Sequence, residues 1–417
     1  MQQRKVLPRV DLAIFDAANR KRKPLDLLDE SADDRVATLV KLKYERMAMS
    51  PFGFFRGAVP VMAYDLSRTP NSGIECQLCG DAHLQNLGAY AGPDGRLIFD
   101  INDFDETLRG PFEWDIKRMA SSILLAGHAA KIKPAAAKEA VELFLTAYCS
   151  MMFQFARMPV LAMARFQVHR LASVAPVEKI LRKAEHETPL GLLERLTAPT
   201  SKGRVFRAIL PVLRPVTGRE ARDVLDSIPE FSKSLLPERQ RFLAKFKPVA
   251  VAFKVVGTGS VGLRDYCVLM EGNGPGDPLF LQIKQEAKSA YAPYLKQPLA
   301  LPKNDGQRVV EGQRAMQLQS DPLLGWTKLD GRNYLVRQLN DHKASLDITT
   351  LKAAALEAYS VVCGELLARG HARSGECCVI DGYIGNGLRF KRGIHGFATA
   401  YAAQTVDDWK LLVARQK

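Results

Sequence analysis

The sequence lacks an apolar run long enough to cross a lipid bilayer, although 47% of its 417 residues are hydrophobic. Its first 22 residues are charged and contain no apolar segment of the kind found in signal peptides. We therefore expect a cytoplasmic protein whose core fills one large or two moderate domains. The seven cysteines are an odd number in a long chain, which argues against a disulfide framework.

The sequence also lacks a second ligand pair near its single Cys-x-x-C motif, which is formed by Cys76 and Cys79. A zinc site would need such a pair, so two small buried residues are the better interpretation. The net charge of +14 permits nucleic acid, acidic membranes or phosphate-rich ligands as partners. No recognised nucleic-acid-binding motif accompanies that charge, and a solvated basic face is the slightly better interpretation.

What the sequence does contain is a polar stretch between two predicted strands. Residues 80–86 read Gly-Asp-Ala-His-Leu-Gln-Asn and follow an alternating strand at 74–79. A glycine-containing turn at 91–95 and a second apolar strand then lead to an acid-rich segment at 100–106. The pattern predicts that the polar residues lie together at the ends of neighbouring strands.

Three side chains in this stretch have the types and spacing that phosphoryl transfer needs. Asp81 would orient an attacking hydroxyl, while Asn86 and Asp103 would hold Mg2+ on nucleotide phosphates. Asp81 and Asn86 keep the five-residue interval of the kinase catalytic loop. Asp105 is a further metal candidate, and Asp100 is a neighbour without an assigned role. The alternative is a polar hairpin whose side chains make only turn hydrogen bonds.

A second polar cluster follows a change of character in the chain. Residues 158–247 are expected to be helical and basic, and a strand at 249–256 then precedes a glycine-rich loop containing Gly257, Gly259, Ser260 and Gly262. Because another strand follows this loop, the pattern is typical of the kinase loop over ATP phosphates and not of a dinucleotide-binding fold. A later apolar strand ends at Lys284, which matches the kinase lysine that pairs with the phosphates. The alternative for Lys284 is a surface lysine.

Other residues would complete the nucleotide site. Glu311, on a predicted helix, is the candidate partner of Lys284; Glu286 is a rival that we expect to lie too close in sequence to fold back. Arg337 is a candidate cofactor-binding residue on a strand that leads to the adenine-binding connector of kinases. Residues 51–57 are expected to be an aromatic loop, either a packing plug or a platform from which Arg56 reaches a phosphate.

These motifs resemble those of small-molecule kinases related to aminoglycoside phosphotransferases. Residues 80–86 are similar to their H-G-D-x-x-x-x-N loop, and Asn102-Asp103 and residues 113–116 are similar to their acidic strand end and the helix start that follows. The resemblance implies ATP and Mg2+ as cofactors. It also implies that Asp115 braces the catalytic loop.

The order of the two clusters is the reverse of the kinase order, in which the glycine loop comes first. Circular permutation is tolerated where the original ends lie close together, and the new break would bring His371 and Arg373 near Asp81. We therefore predict an α+β, circularly permuted protein-kinase-like fold with two lobes. The predicted parts are an α-rich lobe with the catalytic loops at 1–248, a small antiparallel β lobe for the nucleotide at 249–342, and helices completing the α-rich lobe at 343–417.

The chain also resembles, over nearly its full length, a bacterial family known as domain of unknown function 2252. The matching stretches are residues 50–57, 80–86, 102–106, 114–118, 257–284, 337–339 and 371–375. This resemblance implies no established activity.

The leading hypothesis is therefore an ATP- and magnesium-dependent phosphotransferase that acts on an unidentified hydroxyl of a small molecule or a protein. The alternatives are a catalytically inactive nucleotide-binding regulatory module, a nucleotidyl (AMP) transferase, and a basic nucleic-acid-binding protein in which the acids are structural. Nucleic acid is the less favoured partner, and no membrane span is expected.

Overall fold

The computed structural model describes residues 7–168, 173–186, 188–201, 203–255, 257–297, 301–339 and 346–416. These residues form a mixed α+β fold with a large helical part and small sheets, which confirms the predicted class. The predicted boundary between residues 342 and 343 lies outside the described residues. In the described ranges, no helix combines the length and apolar character needed to span a membrane. All seven cysteines are free, and Cys76 and Cys79 are buried as predicted.

The helices and strands are numbered in chain order. The helices are α1 (Pro24–Glu30), α2 (Ala37–Ala48), α3 (Pro51–Gly57), α4 (Val59–Ser67), α5 (Glu113–Ala129), α6 (Pro134–Phe155), α7 (Val160–Ala164), α8 (Ala175–Glu185), α9 (Pro189–Leu196), α10 (Gly218–Asp226), α11 (Ile228–Lys233), α12 (Pro237–Leu243), α13 (Asp305–Met316), α14 (Ala353–Ser374), α15 (Cys377–Ile384) and α16 (Leu388–Gln416). The strands are β1 (Glu75–Leu78), β2 (Leu87–Ala91), β3 (Leu97–Ile101), β4 (Leu108–Pro111), β5 (Thr197–Thr200), β6 (Gly203–Phe206), β7 (Leu213–Val216), β8 (Lys247–Lys254), β9 (Asp265–Glu271), β10 (Pro278–Gln285), β11 (Gly325–Leu329) and β12 (Arg332–Gln338).

The largest sheet is antiparallel and has six strands in the order β11-β12-β10-β9-β8-β7. Strand β10 is buried along most of its length because it lies between β9 and β12, and this position places Lys284 inside the protein. Helices α10–α12 pack on the sheet through Val224, Phe231 and Leu243. The sheet begins with β7, so it includes a strand that precedes the predicted lobe boundary, and residues 158–247 are not purely helical.

The helical part is built around α5, α6, α14 and α16, which share the largest hydrophobic core. Helix α14 packs closely along α6 because Gly364 has no side chain: a Cβ there would lie 2.4 Å from the Phe144 carbonyl oxygen. Phe112 stacks between Tyr148 and Phe390, with ring centroids 6.5 Å and 5.8 Å away. This core supports the short strands that carry the polar loops.

Two short strand pairs position the acid-rich loops. Strand β1 pairs with β4, so that Leu78 lies opposite Leu108, and β2 pairs with β3 as a hairpin whose turn contains Gly95. The loop that follows β1 therefore lies beside the segment that precedes β4. These two segments are residues 79–86 and 102–107.

The aromatic segment at residues 51–57 is helix α3, which corrects the predicted loop. The Ser50 hydroxyl accepts a hydrogen bond from the Gly53 N–H at 3.0 Å, and Pro51 occupies the first turn, where its missing N–H costs nothing. Phe52, Phe54 and Phe55 are buried, so the segment does pack against the core, but as a helix.

Candidate functional site

A cleft of about 600 Å³ is lined by residues from both predicted polar clusters. Asp81, Asp103 and Asp105 come from the loops that follow β1 and β3, and the segment 257–260 comes from the connection between β8 and β9. Residues 286–290, which begin two positions after Lys284, form another part of the wall. The two clusters are far apart in sequence and lie together in space.

Asp81 is held by a buried arginine that the sequence analysis missed. Arg118 Nε donates to Asp81 Oδ1 at 2.7 Å, and the same guanidinium donates to the Phe55 carbonyl at 3.1 Å. Loss of water raises the pKa of the Asp81 carboxyl, and the Arg118 charge opposes that rise. Arg118 lies three residues after Asp115 and hence on the same face of α5, which is the signal that could have found it.

Asp115 fixes the backbone of the loop that carries Asp81. Its two carboxylate oxygens accept hydrogen bonds from the N–H groups of Cys79 at 2.8 Å and Gly80 at 3.0 Å. On the other side, His371 Nε2 lies 3.3 Å from Asp115 Oδ2, and His371 Nδ1 lies 2.9 Å from the Tyr148 hydroxyl. The end of α14 therefore reaches this loop through Asp115.

Gly80 is required at this point by its conformation and its surroundings. Its φ is +83°, and a Cβ would lie 2.2 Å from the Glu106 carbonyl oxygen. We expect Gly80→Ala to lower the free energy of unfolding by about 3 kcal/mol, from left-handed backbone strain and from displacement of a neighbouring backbone. Urea denaturation would measure the change.

Gly95→Ala is the matched control for this substitution. Gly95 has a similar φ of +77°, but nothing lies within 4 Å of its Cβ position. Gly95→Ala should lower the free energy of unfolding only by the cost of the left-handed backbone, about 1 kcal/mol. Equal losses in the two variants would show that the close approach of Gly80 to Glu106 is unimportant.

Asn86 connects the two acidic segments and leaves one oxygen free. Its Nδ2 donates to the Asp81 carbonyl at 2.8 Å and to the Asp103 carbonyl at 3.0 Å. Its Oδ1 is buried and has no hydrogen-bond partner among the described residues. Such an oxygen is suited to a cation or to a hydrogen-bond donor from a ligand.

The described residues contain no group of three His, Cys, Asp or Glu side chains placed as a ready metal cage. Mg2+ does not need one, because it usually takes one or two carboxylates together with water and substrate phosphates. Asp103 has the more accessible carboxylate of the pair, with 45% of its side chain exposed against 21% for Asp105. Asn86 Oδ1 and the Asp103 carboxylate are therefore the oxygen donors that could hold Mg2+ here, together with a phosphate.

Lys284 forms a buried ion pair with Asp105. Its side chain is only 5% exposed, its Nζ donates to both Asp105 carboxylate oxygens, and it lies 3.7 Å from Asp103 Oδ1. Ser260 of the glycine loop also donates to Asp105, at 3.1 Å. Loss of water is the largest single effect on Asp105 and would raise its pKa. The Lys284 charge, the hydrogen bonds with Asp103 and Lys284 and the Arg337 charge together outweigh it and lower the pKa to about 2.

The predicted pairing of Lys284 with Glu311 is corrected by the structure. Glu311 is exposed on α13, and it accepts a hydrogen bond from Gln307 Nε2 at 2.7 Å. Among the described residues, the carboxylates within 4 Å of Lys284 are those of Asp103, Asp105 and Glu286, the last at 3.9 Å. Glu286 need not fold back, because side chains two residues apart in extended chain point to the same side.

Helix α13 contributes an arginine to the site. Arg308, which is 4% exposed, donates to the carbonyl groups of Thr107 at 2.8 Å, Asp105 at 2.9 Å and Ala287 at 2.8 Å. It therefore ties the acidic segment to the segment that follows Lys284. No sequence pattern distinguished Arg308 from a surface arginine.

Glu286 is buried, and its Oε1 accepts no hydrogen bond from the described residues although Lys284 Nζ lies 3.9 Å away. Loss of water raises the pKa of this carboxyl well above its usual value. A raised pKa means that the unfolded chain releases this proton first, so stability is lost as pH rises above about 4.5. We expect Glu286→Gln, which mimics the protonated form, to raise stability at pH 7. The gain should grow by at most about 1.4 kcal/mol per pH unit and vanish below pH 4.5.

Denaturation of Glu286→Gln and the parent protein from pH 4 to pH 8 would test this expectation. Glu311→Gln is the control, because that carboxylate is exposed. A stability gain for Glu286→Gln that does not change with pH would contradict the titration argument.

The glycine loop is held by the N-terminal part of the chain. Gly257 and Gly262 have φ values of +72° and +94°, which favour glycine. Their carbonyl groups accept hydrogen bonds from Arg46 Nη1 at 2.6 Å and from the Val36 N–H at 2.7 Å, respectively. Gly257, Gly259 and Ser260 line the cleft, whereas Gly262 faces Arg35. Sequence reasoning did not find this support, because no local pattern links α2 to a loop more than 200 residues away.

Arg337 lies at the edge of the site and makes hydrogen bonds within the protein. Its Nε donates to Gln282 Oε1 at 3.0 Å, and its Nη1 donates to the Asn102 carbonyl at 3.2 Å. It therefore joins the sheet to the acidic segment. In the described part of the chain it is not among the residues that line the cleft.

Comparison with known proteins gives one match. No curated protein and no solved structure matches the chain. A family model described as "Uncharacterized protein conserved in bacteria (DUF2252)" matches residues 35–415, which include every side chain discussed above as a site candidate. The chain therefore belongs to the DUF2252 family of uncharacterised proteins conserved in bacteria.

Proposed function

We propose that the protein is an ATP- and Mg2+-dependent phosphotransferase that acts on a hydroxyl acceptor. The observation that supports this proposal is that Asp81, Asp103 and Asp105 line one cleft together with the glycine loop. Asn86 and Lys284 are not among the described residues that line this cleft, but they contact the loops that do: Asn86 bonds to the Asp81 and Asp103 carbonyls, and Lys284 pairs with Asp105. The cleft volume of about 600 Å³ suits a small-molecule site. Phosphoryl transfer depends mainly on positioning and charge neutralisation, which these groups can supply.

Each residue has a role that follows from its contacts. Asp81, fixed by Arg118, would orient the acceptor hydroxyl and accept its proton. Asn86 Oδ1 and Asp103 would hold Mg2+, which supplies charge neutralisation on the phosphates. Lys284 would contact the phosphates, with Asp105 keeping it charged and in place.

The permuted kinase-like arrangement of two lobes is part of the same proposal. Three observations support it. Lys284 lies on a central strand of the sheet, and Arg308 of α13 joins the segment that follows this strand to the acidic segment. His371, at the end of α14, contacts Asp115. In this arrangement the chain would carry its catalytic loops before its nucleotide lobe.

The test is nucleotide binding followed by product analysis. Purified protein should gain thermal stability with ATP only when Mg2+ is present, and EDTA should remove the gain. ATP consumption would then be measured against a panel of hydroxyl acceptors, with intact-mass analysis of acceptors and protein. Absence of any magnesium-dependent ATP binding would refute the proposal. Binding without turnover would favour a regulatory module, and an added AMP would favour a nucleotidyl transferase.

A further inference from the structure

One wall of the cleft is formed by the N-terminal segment and carries, besides Arg22, which pairs with Glu30, three further cationic side chains. Arg35 precedes α2, Lys43 lies within α2, and Arg56 lies in α3; all three line the cleft. We call these three residues the cationic wall. None of them belongs to the polar clusters assigned to nucleotide and Mg2+.

Within the described residues, no carboxylate forms an ion pair with the cationic wall, and Asp81, Asp103 and Glu106 act on it only through longer-range electrostatics. Lys43 is 1% exposed and makes no hydrogen bond or ion pair with the described residues; the charges that act on it are those of Arg35 and Glu106. Arg56 has a buried Nε without a partner. Arg35 donates to two neutral groups, the carbonyls of Ser31 at 3.2 Å and Val261 at 2.5 Å.

Burial of such cations is unfavourable unless an anion accompanies them. Burial and the nearby Arg35 charge lower the pKa of Lys43 well below its usual value, and burial also lowers the pKa of Arg56. An anion beside them would reverse both effects, because it favours the protonated forms.

No described carboxylate around the cleft lies close enough to pair with these three cations, and several carboxylates have other partners. Glu106 accepts a hydrogen bond from the Ala290 N–H at 2.6 Å, and Asp34 accepts from Gln285 at 2.6 Å. The pairs Glu30 with Arg22, Asp81 with Arg118, and Asp105 with Lys284 account for three more carboxylates. Glu30, Asp81 and Asp105 therefore have cationic partners, whereas the three residues of the cationic wall form no ion pair with any described residue.

We propose that the cationic wall binds an anionic group, a phosphate or a carboxylate, of the acceptor substrate. The proposal rests on the proposed function in calling that ligand an acceptor. Arg56 interacts electrostatically with both Asp81 and Asp103, so an anion held by Arg56 and Lys43 would bring an attached hydroxyl towards Asp81. The substrate class is then an anionic hydroxyl compound, and the nucleotide phosphates are assigned to Lys284 and the glycine loop.

Inorganic phosphate is the probe for this wall. The full chain would be titrated with phosphate by thermal shift, first alone and then with a saturating Mg2+ complex of a non-hydrolysable ATP analogue. We expect phosphate to raise the melting temperature further in the presence of the analogue. Lys43→Met should weaken phosphate binding about ten- to a hundredfold, the effect of losing one hydrogen bond to a charged group. Lys138→Met, at an exposed position on α6, should leave phosphate binding unchanged.

Three results would overturn the proposal: no stabilisation by phosphate, stabilisation that Lys43→Met leaves intact, or stabilisation that the nucleotide analogue abolishes. The last result would assign the cationic wall to the nucleotide. Arg56→Met provides the same test if Lys43→Met does not fold. If the analogue does not bind but phosphate does, and Lys43→Met removes that binding, the proposed function fails and the anion site stands.

Discussion

Replacing Asp103 with Asn is expected to lower magnesium-dependent ATP turnover by about a thousandfold or more, as for other losses of charge stabilisation in a transition state. The substitution keeps the shape of the side chain and removes the negative charge that would bind Mg2+. The fold should be unaffected, because the Asp103 side chain is 45% exposed and lies 3.7 Å from Lys284, beyond hydrogen-bond distance. Steady-state turnover at saturating ATP and Mg2+ would check the loss of activity, and the melting temperature would check that the fold is unaffected.

A comparison with Asp105→Asn makes this test specific. The Asp103 side chain is 45% exposed, so solvent screens its charge and its ionised form contributes little to the stability of the fold. The pKa of Asp105 is lowered to about 2, so its ionised form does stabilise the fold. Asp103→Asn should therefore lose activity without losing stability, and Asp105→Asn should lose stability.

Asp407→Asn is the control for both variants, because Asp407 is exposed on α16 and pairs only with Lys410 in the described part of the chain. If Asp103→Asn retained full turnover, Asp103 would not be the metal ligand. If Asp105→Asn alone abolished turnover without destabilising the protein, the metal would belong to Asp105.

The sequence was informative where chemistry depends on local spacing. The interval between Asp81 and Asn86, the strand ending near Lys284 and the glycine loop before it were all visible without coordinates, because strand periodicity and loop residues are local signals. The strands that carry them were predicted within a few residues. The α+β class followed from the same signals.

Support from distant parts of the chain could not be predicted in this way. Arg118, Arg308 and Lys43 lie on helices whose patterns show which face is buried but not which loop that face meets. The preference for Glu311 over Glu286 followed kinase analogy and overlooked the period of two in extended chain. The aromatic helix α3 was taken for a loop because glycine was given more weight than the Ser50-Pro51 start signal.

Replacing Lys284 with Met should have the largest effect on stability. The substitution keeps most of the apolar contacts of the side chain but leaves Asp105 without its partner, and breaking a buried ion pair from one side costs about 3 to 5 kcal/mol. Asp105→Asn breaks the pair from the other side. The double variant Lys284→Met/Asp105→Asn removes both charges and should recover about 2 kcal/mol relative to the sum of the single losses.

Control measurements use an exposed pair of the same kind. Lys410→Met breaks the contact with Asp407, in which both side chains are 64% exposed, and should change stability by less than about 1 kcal/mol. Urea denaturation of the parent protein, the two single variants at Lys284 and Asp105 and their double variant gives the full cycle. Additive losses at Lys284 and Asp105 would show that the two side chains are not coupled.

The pH dependence and nucleotide affinity of these variants separate structure from function. Asp105 has a lower pKa in the folded than in the unfolded protein, so its pairing stabilises the fold above about pH 4, and this contribution is lost as pH falls towards 2. The stability difference between Lys284→Met and the parent protein should therefore shrink over that range. The double variant should regain stability but not ATP affinity, because the phosphate contact needs the ammonium itself. A double variant that bound ATP as tightly as the parent would place the nucleotide phosphates away from Lys284.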